Sequence, residues 1–384
     1  MIALADMIPV RPVRIGDNPG LAWAEGLTLS LPRPFLEASG LAAGLDSRGD
    51  LRLPDGLALP EAAAAAASVR ECRAFPGERP VSSRLPFSYH VLPAVVRQFV
   101  AKAMGRRLRG RQGHWARFPL WPLDLGADFL ADLAGPDASA RPAGPTPVVL
   151  SHDLDSAEGL ANVVELFLPL EEAHGARSMN FVVPKAWPLD EGLLGEIAAR
   201  GHGLGIHGHD HGNTTWLLDG PARRHRLEQS RDLARRHGMA GYRAPSLLRS
   251  RELLRDVAAC YRFDSSIPTS GGPFPVPNNG CATARPFALE GLLEIPLSLP
   301  RDGSLLFLGH APGEILALWQ ATAAAIARSG GVVVLLTHCE KRFSGNAPML
   351  AAYTAFLDHL ATSGTYRFVR MDALADCANG PHPA

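Results

Sequence analysis

From residue 147 onward, short apolar runs alternate with longer stretches of helical spacing, and this alternation leaves few folds open. PVVLSHD (147–153) reads as a strand, and Leu160, Val163, Val164 and Phe167 then recur at helical intervals across 157–174. SMNFVVP (178–184) is the next strand, and a helix carrying Leu193, Leu194 and Ile197 stops at Gly201, a natural C-cap. GLGIHGH (203–209) follows, then a charged helix (221–237), GYRAP, a helix near 250–259, YRFDSS and LLEIPLSL. A helix near 313–328, VVVLLTH (332–338), a helix near 346–361 and TYRFVR complete the series. Strands separated by helices pair side by side through crossovers, which gives a mainly parallel α/β sheet. Seven to eight such strands after residue 147 favour a (β/α) barrel.

The run GPDASARPAGPTP (135–147) marks a change of texture and reads as a linker. The chain thus divides into an accessory region (1–134), a linker (135–146) and the barrel (147–384). The accessory region is smaller, and its periodicity does not specify a fold. Its alanine run, Ala62 to Ala67, favours helix.

Charge narrows the range of partners. Thirty-eight basic residues balance 38 acidic ones, which gives no global attraction to nucleic acid. No stretch reaches the ~18–20 apolar residues of a membrane span. The opening MIALADMIPVRP has neither the basic start nor the apolar run of a signal peptide. Cys72, Cys260, Cys281, Cys339 and Cys377 are odd in number and form no C-x-x-C pair, as expected of reduced thiols in a cytoplasmic protein. A local exception is Arg97 to Arg117, which holds seven basic residues and no acidic one. Val91, Leu92, Val95, Val96, Phe99 and Val100 form an apolar stripe beside it. One reading is an accessory helix with a solvated basic face. The other is a peripheral contact with an anionic membrane or a lipid-linked substrate. The aromatic run Trp115 to Pro122 could pack on the barrel or line a sugar cleft.

Function is expected where ligand-capable residues follow the strands: Asp153 and Asp155, His207 and His211, Arg243, Asp264 and His338. In barrels, the C-terminal strand ends carry the active site. Imidazoles and a carboxylate are what a catalytic divalent ion takes as ligands, with a position left open for reaction. His207 and His211 would share a face if their segment were helical. A carboxylate two residues from a ligand is a ready general base. A zincin would need H-E-x-x-H, but position 208 is Gly. A two-His-one-carboxylate iron site is chemically possible, although no His-x-Asp occurs. A nucleophilic Cys339 beside His338 is disfavoured, because neighbours on a strand point to opposite faces.

Residues 147–370 resemble the polysaccharide deacetylase superfamily, the NodB-homology, carbohydrate esterase family 4-like group. Ser151-His152-Asp153-Leu154-Asp155 stands where that family has its Asp pair, here spaced Asp-x-Asp. His207 and His211 match its H-x-x-x-H, Arg243-Ala244-Pro245 its R-x-P, and Leu336-Thr337-His338 its strand ending in His. The resemblance implies a distorted (β/α) barrel and one divalent ion, zinc foremost, with cobalt, manganese or nickel as alternatives. It implies Asp155, His207 and His211 as ligands, Asp153 as base and Arg243 as its orienting partner. His338 would be the acid that protonates a departing amine, and Leu336 would wall an acyl pocket. Asp264 and Pro245 are the remaining candidates for substrate contact, Asp264 standing in for an unclear fourth motif. Ser246 and Cys339 depart from the family's usual residues and place the leaving-group side apart from common substrates such as chitin. The implied activity is metal-dependent removal of an N-acyl group, usually N-acetyl, from an amino sugar or glycan. The alternatives are deacylation of a small non-sugar amide or cyclic ureide, and a non-catalytic glycan-binding or regulatory protein that keeps the metal.

Overall fold

The computed structural model describes residues 7–12, 29–32, 41–51, 74–75, 96, 99–100, 102–105, 144–269, 280–281 and 283–379. Near the start, β1 (Met7–Pro12) pairs antiparallel with β2 (Leu29–Pro32) and parallel with β3 (Asp50–Leu51). The alanine run, the Trp115 to Pro122 segment and most of the linker lie outside the described residues.

The barrel begins at β4 (Thr146–Leu154) and continues through β5 (Met179–Val182), β6 (Gly203–His207), β7 (Gly241–Arg243) and β8 (Phe263–Asp264). A hairpin of β9 (Phe287–Leu289) and β10 (Leu292–Glu294), then β11 (Val333–His338) and β12 (Tyr366–Phe368), complete the sheet. Its order is β11-β4-β5-β6-β7-β8-β10-β9, with β12 beside the start of β4. All pairs are parallel except the hairpin. The result is the expected α/β architecture, a curled sheet that makes a distorted (β/α) barrel.

The distortion has a local cause. LLEIPLSL was expected to run as one strand, but pairing by β10 stops at Glu294. Pro296 and Pro300 lack N–H groups and interrupt the ladder. The chain closes on β11 through isolated bonds instead, with Leu299 N–H donating to Val334 O at 3.1 Å and Val334 N–H to Ser298 Oγ at 2.8 Å.

Strand alternation sorts the side chains into two layers. Val148, Leu150 and Leu154 of β4 join the core under the helices, whereas Val149 joins a smaller cluster inside the barrel with Met179, Phe181, Phe263, Val334 and Leu336. Glycines on the inward register of β6 and β7 make room for these side chains. A Cβ on Gly205 would lie 2.7 Å from the Phe181 ring, and one on Gly241 would lie 2.3 Å from that of Phe263. The same inward register, followed toward the C-terminal strand ends, reaches Asp153, His207, Arg243 and His338.

The helices are α1 (Ala157–Asn162) and α2 (Leu168–Ala173), joined by a π-helical turn at Val163–Phe167, then α3 (Glu191–Ala199), α4 (Gly220–Arg236) and α5 (Arg251–Ala258). After them come α6 (Asp302–Phe307), α7 (Pro312–Ser329), α8 (Ala347–Thr362) and α9 (Met371–Asn379). Ser156, Asp190, Asp219, Ser250 and Asn346 cap α1, α3, α4, α5 and α8 with side-chain oxygens. The periodicity reading placed no helix at α6 or α9.

Candidate metal centre and active site

Asp155 follows the end of β4, one residue before the cap of α1, and His207 ends β6. His211 reaches the same point from a turn rather than a helix. Gly208 and His211 both take left-handed backbone, with φ of 68° and 56°. A Cβ on Gly208 would also lie 2.4 Å from the Pro245 ring, so this turn requires glycine. The two imidazoles meet edge to face with centroids 5.2 Å apart.

One ligand atom from each of Asp155, His207 and His211 lies within 4.8 Å of the other two. His207 Nδ1 is 3.0 Å from Arg243 O; a carbonyl only accepts, so Nδ1 donates and Nε2 is the nitrogen turned toward the carboxylates. That Nε2 is 3.5 Å from Asp155 Oδ1, and His211 Nε2 is 3.4 Å from the same oxygen. Asp155 Oδ1 is buried and has no hydrogen-bond partner. Burial works against ionisation of Asp155, but His211, His207, His338 and Arg342 outweigh it and hold the carboxyl well below its usual range. Burial also holds the His211 imidazole below its ordinary value, which favours the neutral form. A buried carboxylate oxygen without a hydrogen-bond partner, facing two imidazole nitrogens, suits a divalent cation.

Asp153 stands beside this group. Arg243 Nη1 donates to its Oδ1 at 2.8 Å, and its Oδ2 lies 3.4 Å from His207 Nε2. Burial pushes the Asp153 carboxyl up, but His207, Arg243 and His338 together bring it below the ordinary value, so it is held as an anion. Arg243 is fully buried, with its Nε bonded to Ser265 O, its Nη2 to Ser151 and Ser265 hydroxyls, and Phe181 against its plane. That fork fixes the guanidinium and through it the base.

His338 ends β11 in register with Asp153. Its Nδ1 is 2.8 Å from Asp302 Oδ1, and its Nε2 faces Asp155 Oδ2 at 4.0 Å. Asp302 also accepts from His338 N–H and Ser344 Oγ. Burial lowers the His338 imidazolium, but Asp302, aided by Asp155 and Asp153, overcomes this and raises it to about 9. The cluster therefore combines an ionised carboxylate and a protonated imidazole beside the candidate ligands. Asp302 was missed because it lies on a short helix without apolar periodicity; the only local signal was an acidic residue just after Pro300.

The other expected residues lie elsewhere. Leu336 is fully buried inside the barrel below His338. Pro245 is buried against Gly208 and supports the histidine turn. Asp264 does not join the cluster, because Phe263 takes the inward position and alternation turns Asp264 outward. There it accepts from the Ser266 hydroxyl at 2.7 Å and lies hydrogen-bonded to Glu294, with burial pushing both carboxyls up. Ser266 Oγ in turn accepts from Ala244 N–H at 2.8 Å, so Asp264 braces the strand end that carries Arg243. Cys339 is buried in the outer core, where burial raises its thiol, which leaves no thiolate nucleophile.

No family model and no curated relative matches the sequence. Solved structures do resemble it. One, described as a polysaccharide deacetylase from Mycobacterium smegmatis, aligns at 21% identity over 62% of this chain and 91% of that chain, with a TM-score of 0.52. An allantoinase aligns at 14% identity over 71% of this chain and 98% of that chain, with a TM-score of 0.50. The chain shares its fold with these two structures.

Proposed function

We propose that this barrel, with its polysaccharide-deacetylase fold, is a metal-dependent hydrolase that removes an N-acyl group, in the first instance N-acetyl, from an amino sugar or glycan. The reading is carried by the pairing of an ionised Asp153 with a cationic His338 beside the Asp155, His207 and His211 group. A protein that only binds glycans through a metal has no use for a base and an acid so arranged. Asp155, His207 and His211 would hold one divalent ion, zinc first, or cobalt, manganese or nickel. When bound, such an ion supplies Lewis acidity that activates water and polarises the acyl carbonyl.

The chain's own groups do the rest. Asp153 takes the proton from the attacking water, and Arg243 keeps it aimed and anionic. His338 gives its Nε2 proton to the amide nitrogen as the C–N bond breaks, while Asp302 keeps the Nδ1 proton in place. A carboxylate and an amine result. Leu336 closes the acyl side from below. The fold is shared with an allantoinase, so hydrolysis of a cyclic ureide is the second reading, and a ureide belongs in the same substrate screen. Work in the cytoplasm is part of the proposal.

The test is Asp153→Asn, which leaves the candidate ligands unchanged. Acetate release from N-acetylated sugars is expected to vanish while bound metal stays; retained turnover would overturn the role of the base.

We also assign an anionic lipid surface as a partner. Among the described residues the large exposed apolar side chains are Val96, Phe99, Val100 and Met104, with Phe99 73% exposed, and the surrounding sequence is basic. Binding to anionic vesicles at low salt is expected in co-sedimentation, and absence of binding removes the assignment.

A further inference from the structure

The chemistry proposed for the site gives it two sides. His338 protonates the nitrogen that leaves, so a residue packed against His338 would border the amine-bearing half of the substrate. Phe343 occupies that position, with its ring centroid 4.7 Å from that of His338 and an interplanar angle of 38°. Phe307 of α6 meets the same ring edge to face at 5.9 Å. Over Phe343 lies the Arg342 guanidinium, with Cζ 4.8 Å from the ring centroid.

Three features set Arg342 apart from an ordinary surface arginine. It is exposed, yet it stands over the ring that packs against His338. It also has no carboxylate within ion-pair distance among the described residues, whereas Arg223 and Arg226 are paired with Asp256 and Asp210. Lastly, its loop is tied by hydrogen bonds to the strand end that carries His338. Ser344 N–H donates to His338 O at 3.0 Å and Ser344 Oγ to Asp302 Oδ2 at 2.7 Å. Gly345 N–H donates to Glu340 O at 3.0 Å, and Asn346 Nδ2 donates to the carbonyls of Lys341 and Phe343. A cation thus stands over the ring that packs on His338.

We propose that Arg342 is a specificity-determining residue that binds a phosphate or carboxylate group on the amine-bearing half of the substrate. The proposal rests on the deacylase reading for its two sides. A guanidinium donates two parallel bonds to either anion, and such charge-assisted bonds form without loop rearrangement here. The sugar would present its nitrogen toward His338 and its anionic substituent toward Arg342.

Product-side binding tests this without requiring turnover. Glucosamine 6-phosphate, muramic acid and glucosamine are titrated calorimetrically into the zinc-loaded full chain, as wild type, Arg342→Ala and Arg342→Lys. At least one anionic sugar is expected to bind about tenfold or more tightly than glucosamine to the wild type. That preference should disappear in Arg342→Ala and return in part in Arg342→Lys. Preference for the first sugar identifies phosphate and for the second carboxylate. The proposal is overturned if neither anionic sugar is preferred, or if the preference survives in Arg342→Ala. Failure to release acetate from the N-acetylated forms of these sugars, with the preference intact, would count against the deacylase reading and not against Arg342.

Discussion

His338 shows how one residue's chemistry depends on a partner that the local sequence does not reveal. Buried alone, an imidazole would lose its proton at neutral pH; Asp302 reverses that and raises His338 to about 9. The sign follows from linkage: a raised folded pKa contributes stability that is full below the ordinary 6.5 and is lost as pH rises through about 9. In the metal-free protein, Asp302→Asn should bring the His338 midpoint down by a unit or more, read by NMR titration of the ring protons. An unmoved midpoint would remove Asp302 from the acid's function. Asp153, Asp155, His207 and His211 stood out in the sequence because they fall in two short segments at strand ends. Asp302 lies 36 positions from its histidine, and the strand position of Asp264 does not by itself give its facing.

At the scale of elements, the outer face of β4 is tied to its helices by a buried polar network. His152 Nε2 is 2.7 Å from Glu171 Oε1 of α2, and Tyr353 of α8 donates to the same oxygen at 2.7 Å. His152 Nδ1 is 2.8 Å from Thr337 Oγ1 of β11. His152 precedes Asp153, so this network fixes the strand whose other face carries the base. Burial alone would raise Glu171, but the charge and hydrogen bond of His152 outweigh it and hold the carboxyl below 4.5. Glu171→Gln should therefore cost about 3 kcal/mol at neutral pH. A depressed carboxyl contributes fully above its unfolded value, so the gap to wild type should hold down to pH 4.5 and close as the pH falls further. Denaturant melts across that range check it, and a gap independent of pH would mean that packing, not charge, explains the loss. Element types were legible in the sequence because apolar periods of two and of 3.6 residues alternate so regularly. The break after β10 and the short helix α6 were not, because Pro296 and Pro300 interrupt an apolar run that otherwise reads as continuous strand.

For the molecule as a whole, the barrel brings together residues from β4, β6, β7 and β11 that are as much as 185 positions apart, Asp153 and His338 being in register. The parallel order follows from the strand–helix alternation, and the inward register follows from the glycines of β6 and β7, whose space Met179, Phe181 and Phe263 fill. The accessory region offered no comparable period, and its fold could not be read from the sequence. The central claim is that Asp155, His207 and His211 form one divalent-metal site. Its most direct test is metal stoichiometry by elemental mass spectrometry on the wild type beside Asp155→Ala, each folded by circular dichroism. About one ion per chain is expected in the wild type, lost in the variant. No ion in the wild type after incubation with zinc or cobalt, or an undiminished ion in Asp155→Ala, would contradict it.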